Sequence, residues 1–98
     1  MLSVIIPTLN EAEALPRLLT DLSEQQDLTM EIIVVDGGST DATRDVPARF
    51  CAGLVTSEAG RGLQMNAGAA RAGQELLLFL HADSRLTYPR QLADACEM

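Results

Sequence analysis

The sequence predicts an α/β fold built on a parallel sheet. Three observations carry that expectation. Four short apolar runs alternate with segments of helical periodicity, giving the order βαβαβαβα. The runs are apolar throughout instead of alternating with polar residues, as strands covered on both faces are. Polar and charged residues gather directly after each run, where the strands of an open parallel sheet present a ligand site.

The first strand is the β-branched run Leu2 to Ile6, stopped by Pro7. A helix is predicted from Asn10 to Gln25, because Leu15, Leu18, Leu19 and Leu22 fall on one helical face. Asn10 and Glu13 have the spacing of a capping box, while Pro16 conflicts with a helix interior, so the helix either begins near that residue or has an irregular first turn. Glu31 to Asp36 forms the second strand, ended by Gly37-Gly38. Ser39 or Thr40 then caps a helix to about Arg49, which Pro47 shortens or kinks. Cys51 to Thr56 is a weaker third strand. After Gly60-Arg61-Gly62 a small-residue helix runs to about Ala72, with Gly73 as its C-terminal cap and Ala67 to Ala70 allowing close packing on the sheet. Leu76 to His81 is the fourth strand, and Thr87-Tyr88-Pro89 opens a last helix carrying Leu92 and Ala95.

Composition narrows the function. With 98 residues, 47% hydrophobic and 21% charged, the chain suits one domain, residues 1–98. Its net charge is −7, it has no lysine, and its seven basic residues are all arginines. A basic stripe for nucleic acid is absent, so no nucleic-acid partner is expected. An acidic chain that binds a phosphorylated small molecule needs a local arginine, a helix N-terminus or a divalent cation to offset its own field. Cys51 and Cys96 form no Cys-x-x-Cys pair and read as reduced thiols. No apolar run approaches the roughly 20 residues of a membrane span, and the N-terminus lacks a signal-peptide pattern. A cytoplasmic location, free or peripheral to a membrane, is expected.

At the strand ends stand Thr8, Asn10 and Glu11; then Asp36, Ser39, Thr40 and Asp41; then Glu58 and Arg61; and finally His81, Asp83 and Ser84. Asp36 reads either as a cap of the following turn or as a carboxylate accepting from a base or ribose. Asp41 reads as a first-turn acid of its helix. Asp83 is either an Asx-turn residue or a ligand for Mg²⁺ or Mn²⁺ bridging phosphate oxygens. His81 is either packed or functional, and Arg61 is either a solvated loop residue or a bidentate diphosphate contact. A P-loop, a Gly-x-Gly-x-x-Gly turn, a Gly-x-Ser-x-Gly elbow and the lysine of a phospho-receiver are all missing.

Three blocks, VIIPTLNEAEAL, EIIVVDGGSTDAT and GRGLQMNAGAARAGQELLLFLHADS, together resemble the family 2 glycosyltransferases of GT-A fold. They cover most of the chain, in the family's order and spacing, and the HADS and GGST variants resemble a bacterial subgroup of uncertain acceptor. The resemblance implies a Rossmann-like three-layer α/β/α half-domain with strand order 3-2-1-4. It implies that Pro7, Thr8 and Glu11 hold the base and ribose of a UDP- or GDP-linked sugar, that Asp36 contacts the base, and that Arg61 lies near the nucleotide. It also implies that Asp83 is the last acid of the metal motif, binding Mn²⁺ or Mg²⁺ with the sugar diphosphate.

Gly37 and His81 depart from the family pattern, which commonly has aspartate at both positions. His81 is thereby a metal ligand, a sugar or ribose contact, or neither. The general base of an inverting transfer is assignable to no residue here, so the chain reads as the nucleotide-sugar half of a glycosyltransferase without its acceptor half. Alone it is expected to catalyse no more than slow donor hydrolysis. The competing readings are a non-catalytic nucleotide-binding or assembly module and a nucleotidyltransferase. The fourth strand, most apolar of the four, becomes a sheet edge in this order. A homo-oligomer through that edge or an uncovered helix face is therefore expected.

Overall fold

The computed structural model describes residues 1–96. Strands β1 (Leu2–Thr8), β2 (Met30–Asp36), β3 (Gly53–Thr56) and β4 (Leu76–Phe79) form one parallel sheet in the order β3-β2-β1-β4. The expected order 3-2-1-4 is the observed one. The register places Thr8 beside Asp36 and Asp36 beside Thr56, so the carboxyl ends of three strands are level.

Pro7 does not stop β1; the strand continues through Thr8. The Ile5 carbonyl accepts from Leu80 N–H on the β4 side. Side alternation therefore puts the missing N–H of Pro7 on that same side, beyond Ile5–Phe79, the last β4 pair. Proline costs the ladder nothing where the ladder has ended.

Helix α1 (Ala14–Ser23) lies on one face of the sheet and buries Leu15, Leu18, Leu19 and Leu22 against Val4, Ile6 and Val34. Each of those leucines contributes about 1.5–3 kcal/mol of transfer free energy. The helix is shorter than predicted at both ends. Its first turn holds Pro16, where no intrahelical N–H bond is lost. The predicted capping box does not form: Asn10 has φ 54°, in the left-handed region, and its Oδ1 accepts from Thr40 N–H instead. The helix predicted up to Arg49 is replaced by two 3-10 turns, Ala42–Asp45 and Pro47–Phe50. In an α-helix the Pro47 ring would meet the Thr43 carbonyl; here that carbonyl accepts from Val46 N–H in a tighter turn. Val46 still reaches the core.

Helix α2 (Arg61–Arg71) covers the opposite face, over Ile5, Ile33 and Val35. The three-layer arrangement is thus as expected. Gly68 is its contact point: a Cβ there would overlap Ile5 and approach Val35 Cγ2 at 2.9 Å. Gly68→Ala is expected to destabilise the fold by about 1–3 kcal/mol, the usual cost of overpacking, despite alanine's better helix propensity. A thermal or urea melt checks this, and an unchanged midpoint would refute the close approach. Gly73 is not a left-handed cap; Ala72 is already extended and the Gly73 N–H donates to Glu31. The third strand starts at Gly53, because Cys51 turns the chain in a left-handed conformation (φ 57°). The last helix, α3 (Gln91–Cys96), begins after Pro89 and buries Leu92 and Ala93, leaving Ala95 exposed.

On β4 the side chains of Leu76, Leu77 and Phe79 are 52%, 41% and 40% exposed, so the sheet has the apolar edge that the strand order requires. Among the described residues no helix is long and apolar enough to cross a membrane.

Candidate functional site

The site is built where β1, β2 and β4 end. Thr8, the last residue of β1, is buried, and its hydroxyl donates to Asp36 Oδ1 over 3.2 Å. Asp36 is fully buried at the end of β2. Its Oδ2 accepts from the N–H groups of Gly38 (3.0 Å) and Ser39 (2.8 Å), and its Oδ1 also accepts from the Ser39 hydroxyl. Burial pushes this carboxyl up, but the bonds from Ser39, Gly38 and Thr8 outweigh it and hold the group below its ordinary value. The Arg44 guanidinium stands 4.0 Å away, half exposed, and adds little. Of the two sequence readings of Asp36, the structure shows the cap: both oxygens are used inside the turn.

That turn is tied to the loop after β1. Asn10 N–H donates to the Ser39 hydroxyl (2.9 Å), Thr40 N–H donates to Asn10 Oδ1 (2.9 Å), and Glu11 N–H donates to the Thr43 hydroxyl (2.8 Å). Asp41 caps Thr43, bonding its N–H and hydroxyl; those bonds hold the Asp41 carboxyl below its ordinary value. The backbone of Glu11 is therefore fixed, and the residue is half-buried outside the lining of the cleft described below.

Sequence reasoning missed Gln64. It is 5% exposed on α2, and its amide donates to the carbonyls of Thr8 and Val35, 2.9 Å each, joining the ends of β1 and β2. The available signal was its position one turn before Gly68, on the face that must meet the sheet. Gln64 also packs close to Gly37. A Cβ at Gly37 would stand 3.0 Å from the Gln64 amide and 3.1 Å from Ala59 Cα, so a side chain there requires Gln64 and the Ala59 backbone to shift by a few tenths of an ångström.

Arg61 opens α2, and its guanidinium lies against the His81 imidazole, just past β4. His81 begins a turn closed by Ser84 N–H on the His81 carbonyl (3.0 Å), and Ala82, 3% exposed, pins that turn into the core. Asp83 is thereby presented to solvent. Pro7, Thr8, Leu9, Arg61, Gln64 and His81 line one open cleft of about 250 Å³. A larger hollow, about 570 Å³, runs along the β3 edge by Ile33, Leu54 and Arg71 and contains none of the candidate residues.

Among the described residues no three His, Cys, Asp or Glu side chains converge as a ready-made metal cage. A single exposed carboxylate at Asp83 still fits a hard cation of the Mg²⁺ or Mn²⁺ kind, which binds through one or two carboxylates and takes its other ligands from water and phosphate oxygens. The structure thus brings together Pro7, Thr8, Arg61 and His81 around one cleft, sets Glu11 and Asp83 at the surface on neighbouring loops, and turns Asp36 inward.

A parallel sheet of order 3-2-1-4, with its polar cleft at the carboxyl ends, is the arrangement of Rossmann-like nucleotide-binding domains. Residues 3–93 match the model of glycosyl transferase family 2, and the chain belongs to that family. A PGL/p-HBAD biosynthesis glycosyltransferase of Mycobacterium bovis is 40% identical over 93 residues, covering 88% of this chain and 36% of the relative. A 4,4'-diaponeurosporenoate glycosyltransferase of Staphylococcus haemolyticus is 36% identical, covering 87% of this chain and 24% of the relative. Among solved structures, S. aureus TarS 1-349 in complex with UDP-GlcNAc superposes with TM-score 0.83 at 30% identity, over 98% of this chain and 30% of that one. The mannosyltransferase PcManGT from Pyrobaculum calidifontis, in complex with GDP-Man and Mn²⁺, superposes with TM-score 0.85 at 29% identity, over 98% and 31%. The chain spans about a third or less of the length of these relatives. They share the GT-A architecture expected from the sequence.

Proposed function

We propose that residues 1–98 bind the donor of a glycosyltransferase, a UDP- or GDP-linked sugar, in the cleft at the ends of β1, β2 and β4. The observation that carries this reading is the joining of Pro7, Thr8, Arg61 and His81 in one strand-end cleft, in a chain of this family. The complexes of its structural neighbours with UDP-GlcNAc and GDP-Man support the donor class, and Mn²⁺ in one of them supports a divalent cation.

Each residue then has a task. Pro7 and Thr8 form the floor under the base and ribose, with Glu11 at the rim toward the ribose. Asp36 acts through the Gly37–Ser39 turn, whose backbone forms the wall for the base. Arg61 meets the diphosphate as a fork of donors. Asp83 would hold a Mn²⁺ or Mg²⁺ ion, whose chemistry is to neutralise charge on the departing diphosphate. A base that deprotonates the acceptor hydroxyl is assigned to none of these residues. The exposed β4 edge makes association of two copies the expected state, either edge to edge or through an adjacent helix face. Light scattering checks this; a monomer at high concentration would exclude it.

Isothermal titration with UDP and with GDP, each with and without Mn²⁺, tests the donor reading. One nucleotide is expected to bind weakly alone and at least about tenfold more tightly with Mn²⁺, because net charge −7 opposes a bare diphosphate. A non-catalytic nucleotide module would bind without sugar discrimination, and a nucleotidyltransferase would prefer a triphosphate. No binding of either nucleotide in either condition would end the proposal.

A further inference from the structure

We propose that His81 serves the anion side of the donor site: it positions the Arg61 guanidinium against the donor diphosphate and is not a ligand of the cation. The inference rests on the nucleotide-sugar reading above and assigns a role within it. Arg61 stands between Gly60 and Gly62 on an exposed helix start, and no acidic residue in the first turn of α2 holds it. Its side-chain partner among the described residues is the His81 ring. His81 is the fixed member of the pair. Leu80 before it extends the ladder to Ile5, Ser84 closes the turn after it, and Ala82 anchors that turn in the core.

The guanidinium lies against the His81 ring, close to both ring nitrogens. A divalent ion on that ring would stand beside a permanent positive charge. The surroundings agree: the residues lining the cleft at Arg61 and His81 include no carboxylate, although the chain as a whole carries 14 acidic residues. A second, smaller hollow beside it, lined by Pro7, Arg61, Met65, Phe79, Leu80 and His81, has none either. The cleft is therefore suited to phosphate oxygens, and the cation falls to Asp83 outside its lining. Histidine in place of a carboxylate at position 81 leaves Arg61 without an acidic partner among the described residues, so its charge is kept for the ligand.

The experiment is calorimetric titration of the protein with UDP and with uridine, with and without Mn²⁺, for the wild type, His81→Ala and His81→Gln; GDP and guanosine replace them if GDP binds more tightly. His81 is exposed, so these variants keep the fold. His81→Ala is expected to weaken metal-free UDP binding by about fivefold, the size of one modest hydrogen-bonded contact. It should leave uridine affinity and the gain from Mn²⁺ unchanged. His81→Gln, whose amide oxygen can accept from Arg61, should recover most of the loss. Loss of the Mn²⁺ gain with metal-free affinity intact would make the ring a metal ligand and overturn the inference. An equal loss for uridine and UDP would reduce His81 to a structural role and overturn it as well. A wild type that binds neither nucleotide in either condition would remove the donor reading itself, and this inference with it.

Discussion

Asp36→Ala is expected to destabilise the protein by about 3 kcal/mol or more, and to weaken nucleotide binding equally with and without a divalent cation. The carboxylate is fully buried and accepts from two N–H groups and two hydroxyls. Alanine leaves those donors facing a void, and the turn that joins β2 to the first 3-10 turn loses its centre. Asp36→Asn keeps the volume but turns an NH₂ toward N–H or O–H donors, so it should cost nearly as much. Urea denaturation monitored by circular dichroism reads the stability, and titration reads the binding. A variant as stable as wild type would show that the Asp36 bonds are not maintained in solution. The same carboxyl makes stability depend on pH. Its folded-state value lies below the unfolded one, near 4, so its contribution is fully present above that value and disappears as pH falls through the folded value. Asp21, bonded by Arg85, is lowered in the same direction, as is Glu31, bonded by Gly73 and Ser3. Acid denaturation should therefore begin below about pH 4 and be less steep in Asp36→Asn. A melting temperature that stays flat down to pH 2 would contradict the bonded state of these carboxyls.

The sheet was legible because its signal is local and redundant. Ile32 to Val35 and Leu76 to Leu80 are unbroken apolar runs of strand length, and the leucine stripe of α1 admits one burial direction. Loop chemistry was less legible, because capping partners distant in sequence compete for the same side chains. Asn10 has a capping-box spacing to Glu13, yet it bonds Thr40, thirty residues away. Only the parallel register of β1 and β2 brings those two loops together. Pro47 signalled a broken helix, but not that two 3-10 turns would replace it. At the site, residue types at strand ends located the cleft, and the family resemblance sorted them. Neither could show that Asp36 faces inward, since an aspartate after a strand suits a cap and a ligand equally well. Gly37 read as a departure from the family pattern; the structure shows that it also sits close against Gln64 and Ala59, which no spacing rule reveals.

Asp83→Asn is expected to abolish most of the Mn²⁺ enhancement of nucleotide binding, a loss of about tenfold or more, while leaving metal-free affinity and thermal stability close to wild type. The stability half follows from the structure: Asp83 is exposed, and no described residue bonds its carboxylate. Its neighbours in the turn, the His81 carbonyl bond to Ser84 and the buried Ala82 methyl, do not involve the side chain. The binding half follows from charge. Asparagine keeps the carbonyl oxygen and the shape, so a difference between the two side chains reports the anionic ligand and not the geometry of the turn. Hard cations discriminate strongly between a carboxylate and an amide when few protein ligands share the load, and here no group of three His, Cys, Asp or Glu side chains forms a cage among the described residues. Titration of the tighter-binding nucleotide across a Mn²⁺ series reads the effect. Retention of the full enhancement in Asp83→Asn would place the ion elsewhere, and a fall in metal-free affinity of the same size would show Asp83 acting on the nucleotide directly.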